Sequence, residues 1–406
     1  MRMETYQHAP EVAEEIHSHN EGKIRSRELL TDGRLEITCE NGMRFYLEEV
    51  KSPEAEEVTQ FHDFLESSFE ADEIDTIESQ RNALRENDRK PHERNFDFYV
   101  KILKNESGEV VGGMQATSSS AAGEDGKKLG WSVGFGHYIV IDPAYRRLGL
   151  APELYADFYS WGESRAQQRG EPLKYFVGEV VPANERNFEK DHGGGRLFLD
   201  KEEGLEEIRY YQAPLDFDRQ TGEPMGGPVA DHLMLGRAGI AKTGSPEKIW
   251  AVPREDVLAC ARAIYEINNV YPVIRDLRGY KDFWHRDTID GDPAVVRALE
   301  HIKAYYQQLK EQMAGGADQV YVIDSGIRKY YENFSKFGRF GRLVDPKRVE
   351  GGFGMGDVAH QQLEALEGHF EPVEKDLARW TSKPHTNIKY HTDADRTGPL
   401  GDKSYL

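Results

Sequence analysis

The chain has 406 residues, 38% apolar and 31% charged, enough for a sizeable core beneath a well-solvated surface. Its formal net charge of −20 sets up a field that repels nucleic acid and disfavours a phosphate-backbone binder. No stretch approaches the ~20 consecutive apolar residues of a membrane span, and the first residues hold no apolar signal core. Cys39 and Cys260 alone give neither a disulfide framework nor a metal-ligand spacing, so a cytoplasmic protein without a metal site is expected.

Residues 1–33 read as an N-terminal extension, polar up to residue 22 and strand-like from Arg27. Asp32-Gly33 and Asn41-Gly42 are hairpin turns, because these pairs tolerate positive φ. Ser52-Pro53-Glu54 reads as a helix start with Ser52 as N-cap. Val58, Phe61, Leu65 and Phe69 then recur at helical spacing, and Ile74, Ile77 and Leu84 mark a second helix. "FDFYVKILKNESGEVVGGMQATSS" is a hairpin turning at Ser107-Gly108. A third strand, "HYIVI", stops at Asp142-Pro143 and restarts as a helix through "RRLGLA", with Leu150, Leu154, Phe158 and Trp161 as its stripe. "LKYFVGEVV" is the next strand, "PANERNFEKDHGGG" a short helix or loop, and "LEEIRYYQAPL" and "DHLMLGRAGI" two further strands. From residue 244 to 345 helical stripes dominate, at Val257, Ala261 and Ile264 and from Val295 to Met313, with one short strand, "QVYVID". Residues 346–406, rich in glycine, proline and charge, read as an extended tail.

Arg146-x-x-Gly149-x-Ala151 puts two small residues in a turn that opens a helix. A helix N-terminus presents unpaired N–H groups and a partial positive charge, which suits pyrophosphate. The strand "YIVIDPAYR" running into "RRLGLA" and an amphipathic helix resembles motif A of the GNAT N-acetyltransferase superfamily. The order of elements over residues 34–243 is similar to that family too. The resemblance implies an α+β fold, a mixed and mostly antiparallel sheet flanked by helices, followed here by a mainly helical C-terminal unit. It also implies acetyl-CoA or another acyl-CoA as co-substrate and no metal. Backbone groups of Ile139 and Ile141 would pair with the pantetheine arm. The amides of Arg146, Arg147, Leu148, Gly149, Leu150 and Ala151 would hold the pyrophosphate. Asn184 falls where the family often has an asparagine near the pantetheine.

The implied activity is acyl transfer, most often acetyl, to a primary amine of a small molecule or peptide by direct attack on the thioester. A proton must leave the amine and another must reach the thiolate. The family commonly draws the acid from a tyrosine, where this sequence has Phe188. Glu179, His137 and Tyr138 are the substitutes. Neighbouring strand residues point to opposite faces, so His137 and Tyr138 face the substrate together only across a bulge. Phe188 also leaves room for an inactive GNAT-fold protein that binds or senses acyl-CoA, or for a scaffold keeping only the fold. The helical unit would cover the acceptor pocket or make a homodimer contact.

Other signals have simpler readings. The aromatics and cations of "IRKYYENFSKFGRFGRLVDPKR" follow helical spacing, as in a docked amphipathic helix. "GGFGMG" lacks the strand and helix of a dinucleotide fingerprint. His8, His17 and His19 lack supporting ligands, and "HRD" at His285 has no phosphate loop beside it.

Overall fold

A computed structural model describes residues 23–69, 74–90, 93–180, 194–201, 204–210, 212–213, 217–225, 232–237, 249–274, 284, 292–314 and 318–323. Asn184, Phe188, the tail 346–406, the aromatic stretch after Ile327, "GGFGMG", His285 and the N-terminal histidines lie outside the described residues.

Three short strands open the chain: β1 (Ile24–Leu29), β2 (Leu35–Cys39) and β3 (Arg44–Glu49). Gly33 and Gly42 make the two expected turns at φ 87° and 85°. The sheet thus begins at Ile24, inside the segment read as an extension. Ser52 takes the Glu54 N–H (3.3 Å) in a turn, and α1 (Glu56–Glu66) starts three residues later than expected, behind Ala55. Val58, Phe61 and Leu65 are its buried face. Thr76 caps α2 (Ile77–Glu86) by accepting from Ser79 N–H (3.2 Å). The meander β4 (Asp97–Asn105), β5 (Val110–Ala122) and β6 (Lys128–Ile141) follows, then α3 (Leu150–Gln168) and β7 (Leu173–Val180).

β8 (Gly195–Lys201) falls where no strand was read, in "GRLFLDK". Of the described residues in the expected next strand, Leu205–Glu207 form β9 together with Gly204 (Gly204–Glu207), and β10 (His232–Arg237) inserts between β7 and β8. β11 (Ile249–Pro253), α4 (Arg254–Tyr265), α5 (Pro293–Ala314) and β12 (Gln319–Ile323) complete the described chain. Among the described residues beyond 244 helices outweigh strands, and the two strands there extend the same sheet, β12 on β8 and β11 on β12.

The sheet holds twelve described strands in the order β1-β2-β3-β4-β5-β6-β7-β10-β8-β12-β11, with β9 on β8. Among these pairs only β6–β7 is parallel, because α3 returns the chain across one face in a βαβ crossover. Side-chain alternation separates the layers. Phe176 packs with Leu154, Phe158 and Trp161 of α3. Tyr175 and Val177 instead pack with α4 and α5 on the opposite face. Phe98, Val100 and Ile102 bury α1 and α2 on that second face. The fold is therefore α+β, mostly antiparallel, with helices on both faces.

Candidate functional site: a parted sheet leading to a helix N-terminus

β6 stops at a locally anchored turn. The Asp142 carboxylate accepts the Ala144 N–H (2.7 Å), which closes one 3₁₀ turn over Pro143–Tyr145. The Tyr145 ring stands edge-on to Phe45 at 5.5 Å, and Arg146 Nε donates back to the Ile141 carbonyl (3.0 Å). The backbone then turns left-handed twice, at Arg147 (φ 68°) and at Gly149 (φ 86°), the N-cap of α3. A left-handed arginine costs about 1 kcal/mol, a strain typical of ligand-binding turns. Such a sequence of dihedrals turns successive N–H groups to the inside of one curve. The N–H groups of Arg147 and Leu148 meet no backbone acceptor among the described residues. Leu150 and Ala151 sit in the first helical turn, where no i−4 carbonyl exists. Arg146 and Arg147 are both exposed.

Glu153, also in that first turn, is fully buried. Arg27 of β1 grips it with two bonds of 2.6 Å, so its charge is neutralised from behind.

Pairing between β6 and β7 runs from Ser132↔Leu173 to Gly136↔Gly178 and ends there. β6 continues to Ile141 on β5, while β7 continues on β10, with Glu179 opposite Leu233. From His137 to Ile141 the β7-facing edge of β6 has no strand partner among the described residues. The Asp142 N–H donates to the Val111 carbonyl (2.9 Å). By the antiparallel alternation, the N–H and C=O groups of Tyr138 and Val140 then point to β5, and those of Ile139 and Ile141 point into the parting. The parting of β6 from β7 therefore leads along the Ile139 N–H and C=O and the Ile141 N–H to the N-terminus of α3, while the Ile141 carbonyl is taken by Arg146 Nε.

At the head of the cleft β6 bulges. Ala116 opposes Gly136 and the adjacent Gln115 opposes Tyr138, so His137 is the extra residue. The consequence is the one the alternation demanded: both side chains lie on the α1–α2 face. His137 Nδ1 stands 3.9 Å from Asp75 Oδ2, and its Nε2 lies 3.3 Å from Thr117 Oγ1. The Tyr138 hydroxyl accepts the Asp75 N–H (3.0 Å), and its ring packs edge-on to Phe69. The His137 side chain is only 5% exposed, and burial lowers its pKa to about 3. Burial raises the Tyr138 phenol well above its ordinary value, with Asp75 adding to it. At neutral pH both are uncharged.

Glu179 shares the face of Tyr175 and Val177 and so meets the helices of that side. Tyr210 Oη donates to one of its oxygens and Asn268 Nδ2 to the other (3.2 Å). Asn268 is in register because α4 passes into a π-helical turn, Glu266–Val270, that turns both Asn268 and Asn269 inward. Gln115 Nε2 donates to Asp75 Oδ2 (3.3 Å). Asp75 thus gathers His137, Tyr138 and Gln115, Tyr210 and Asn268 hold Glu179, and the two groups meet at a small space lined by Asp75, Gln115, His137 and Asn268. Of these residues, Asp75, Gln115, Tyr210 and Asn268 were not anticipated. Tyr210 could have been suspected from the aromatic pair in "EEIRYY", but a π turn leaves no trace in periodicity. Among the described residues no group of acidic, histidine or cysteine side chains is placed to hold a metal. No described helix is long and apolar enough to cross a membrane.

No protein-family model matches the sequence, and no curated protein matches it. Solved structures align with part of it. An acetyltransferase from Trypanosoma brucei is 19% identical over 36% of this chain and 89% of its own, with a TM-score of 0.26. A GNAT family N-acetyltransferase from Escherichia coli, in complex with CoA, is 15% identical over 50% of this chain and 87% of its own, with a TM-score of 0.26. Arabidopsis thaliana NAA60, in complex with acetyl-CoA, is 11% identical over 48% of this chain and 99% of its own, with a TM-score of 0.31. Identities and scores of that size assign no activity, and the functional reading rests on the cleft.

Proposed function

We propose that this chain is an acyl-CoA-dependent N-acyltransferase that moves an acetyl or other acyl group to a primary amine. The observation that carries the reading is the unpaired edge of β6 running directly into the left-handed turn at Arg147 and Gly149. Ile139 and Ile141 would bind the amides of the pantetheine arm as an added strand would. The N–H groups from Arg147 to Ala151, with the Arg146 and Arg147 side chains, would hold the pyrophosphate.

The thioester carbonyl would sit where β6 and β7 part, polarised by a backbone N–H near Ile139. The amine nitrogen attacks that carbon, a C–N bond forms, and the C–S bond breaks as the tetrahedral intermediate collapses. The amine gives up one proton and the thiolate takes one, leaving amide and free thiol. Glu179 is the base of this scheme, oriented by Asn268 and Tyr210. His137, neutral down to about pH 3, takes no proton near neutrality and serves as a hydrogen-bonding wall. The buried phenol of Tyr138, held at Asp75 and protonated at neutral pH, would be the acid that supplies sulfur with a proton.

Calorimetry with acetyl-CoA and with CoA tests the binding half. Absence of binding at high micromolar ligand would end the proposal. Release of free thiol with an amine panel tests turnover and separates an enzyme from a protein that only binds. Glu179→Gln is expected to lower kcat about a hundredfold while CoA still binds.

A further inference from the structure

Beside the site lies a cavity of about 360 Å³, walled by α2, by the short helical turn Tyr271–Ile274 that follows the π turn, by residues 217–219 and by the start of α5. Its described lining carries four carboxylates, Asp75, Glu78, Asp218 and Asp292, against one cation, the exposed Arg219. Glu78 meets Arg85 at 3.3 Å across an exposed pair. Two of the others are fixed by neutral donors that leave their charge uncancelled. Asp218 accepts from the N–H groups of Gln220 (2.9 Å) and Thr221 (2.7 Å), which hold its carboxyl below its ordinary range. Asp292 accepts from Ala294 N–H (2.8 Å) at the head of α5.

A second, smaller space of about 10 Å³ shares Asp75, Ser79 and Tyr271 with the first and reaches inward to Gln115, His137 and Asn268. It has room for one water-sized group. Gln115 is 1% exposed and Asn268 5%. The amide nitrogen of each is turned onto a carboxylate, Asp75 and Glu179 respectively, which fixes the amide orientation. The carbonyl oxygens, Gln115 Oε1 and Asn268 Oδ1, have no hydrogen-bond partner among the described residues. Two buried acceptors lining one small space are costly, and what they lack is a small group with two donor hydrogens. A neutral primary amine has two N–H donors and keeps its lone pair for attack.

We infer that the acceptor is a primary amine carrying a second positive charge, its reacting nitrogen on Gln115 and Asn268 and its distal cation among the carboxylates of the outer cavity. The inference rests on the acyltransferase reading for the reaction, but the pocket itself can be tested without turnover. The inner chamber, beside neutral His137, favours the uncharged amine that must attack. The outer carboxylates favour the ammonium that does not react. An acceptor bearing a carboxylate at that end would be repelled.

The test uses the full chain with putrescine, butylamine and γ-aminobutyrate, three amines of one length that differ in the far group. With acetyl-CoA, kcat/KM for putrescine is expected to exceed that for butylamine about tenfold, with γ-aminobutyrate last. The double variant Asp218→Asn, Asp292→Asn keeps both capping oxygens and removes both charges. It should raise KM for putrescine about fivefold and leave its kcat in place. Calorimetric titration of putrescine into the chain, with and without CoA, should show the same weakening in the variant and on adding salt. Equal use of butylamine and putrescine, or an unchanged KM in the variant, would overturn the inference while sparing the acyltransferase. Putrescine binding without thiol release from any amine would keep the pocket and discard the reaction. Failure of putrescine to bind in either titration overturns the pocket outright.

Discussion

His137 shows how one residue couples the site to stability. Its imidazole is held neutral with a pKa of about 3, against an ordinary 6.5. As pH falls, the unfolded chain takes up this proton first, so stability falls with pH through that window. The contribution is fully present above about 6.5 and is lost progressively down to about 3, on the order of 5 kcal/mol in all. Urea denaturation across this range should therefore show an acid limb that flattens in His137→Gln; an identical limb in the variant would rule out His137 as its source. At this scale the sequence was informative about residue types but silent about partners. Glu179, His137 and Tyr138 were nameable because they sit on or beside the strands next to the motif. Asp75, Asn268 and Tyr210 come from a loop, a π turn and a segment past β9. Their approach depends on tertiary packing that no local spacing encodes.

Among the elements, α3 carries the most. Its N-terminus is aimed by the 3₁₀ turn and by Tyr145 on Phe45, and its first turn is anchored by the Arg27–Glu153 pair. Removing one partner of a buried pair strands the other charge. Arg27→Met is expected to cost about 3–5 kcal/mol, and the double variant Arg27→Met, Glu153→Leu should recover most of it. Equilibrium denaturation of the single and double variants measures both. The turn itself was legible, because "RRLGLA" after a β-rich run has few other uses. The anchor was not, since Arg27 lies 126 residues away in sequence, in a segment read as an extension. β8 was missed for a similar reason: "GRLFLDK" is short and adjoins a charged stretch, and it becomes a strand by pairing with β10, β9 and β12.

For the whole molecule, the relevant fact is that one sheet runs from β1 to β11. From the sequence, residues 34–243 were expected to form a unit of their own, but their second face is covered from outside that range. Tyr175 donates to Asp256 (2.7 Å) and Lys174 pairs with the same carboxylate (2.6 Å). Leu197, Leu199, Val177 and Leu235 bury against α4 and α5. Ending the chain at residue 243 would bare that face and one edge of β8. Such a truncation is expected to be aggregation-prone or molten, with near-UV circular dichroism lost; a cooperative, soluble fragment would show that the segment folds without its C-terminal cover. The change to helical stripes beyond residue 244 was visible in the sequence. That those helices and their two strands close the same core was not, because sheet membership is decided by distant partners.

The bulge in β6 has a last consequence, in length rather than chemistry. Gly136 faces α3 and Tyr138 faces α2, as consecutive residues of an ordinary strand would, so His137 could be excised with every later residue keeping its orientation. The excised strand would then run straight, and nothing would oblige it to leave its parallel neighbour. A single codon is the margin between a continuous sheet and an open wedge.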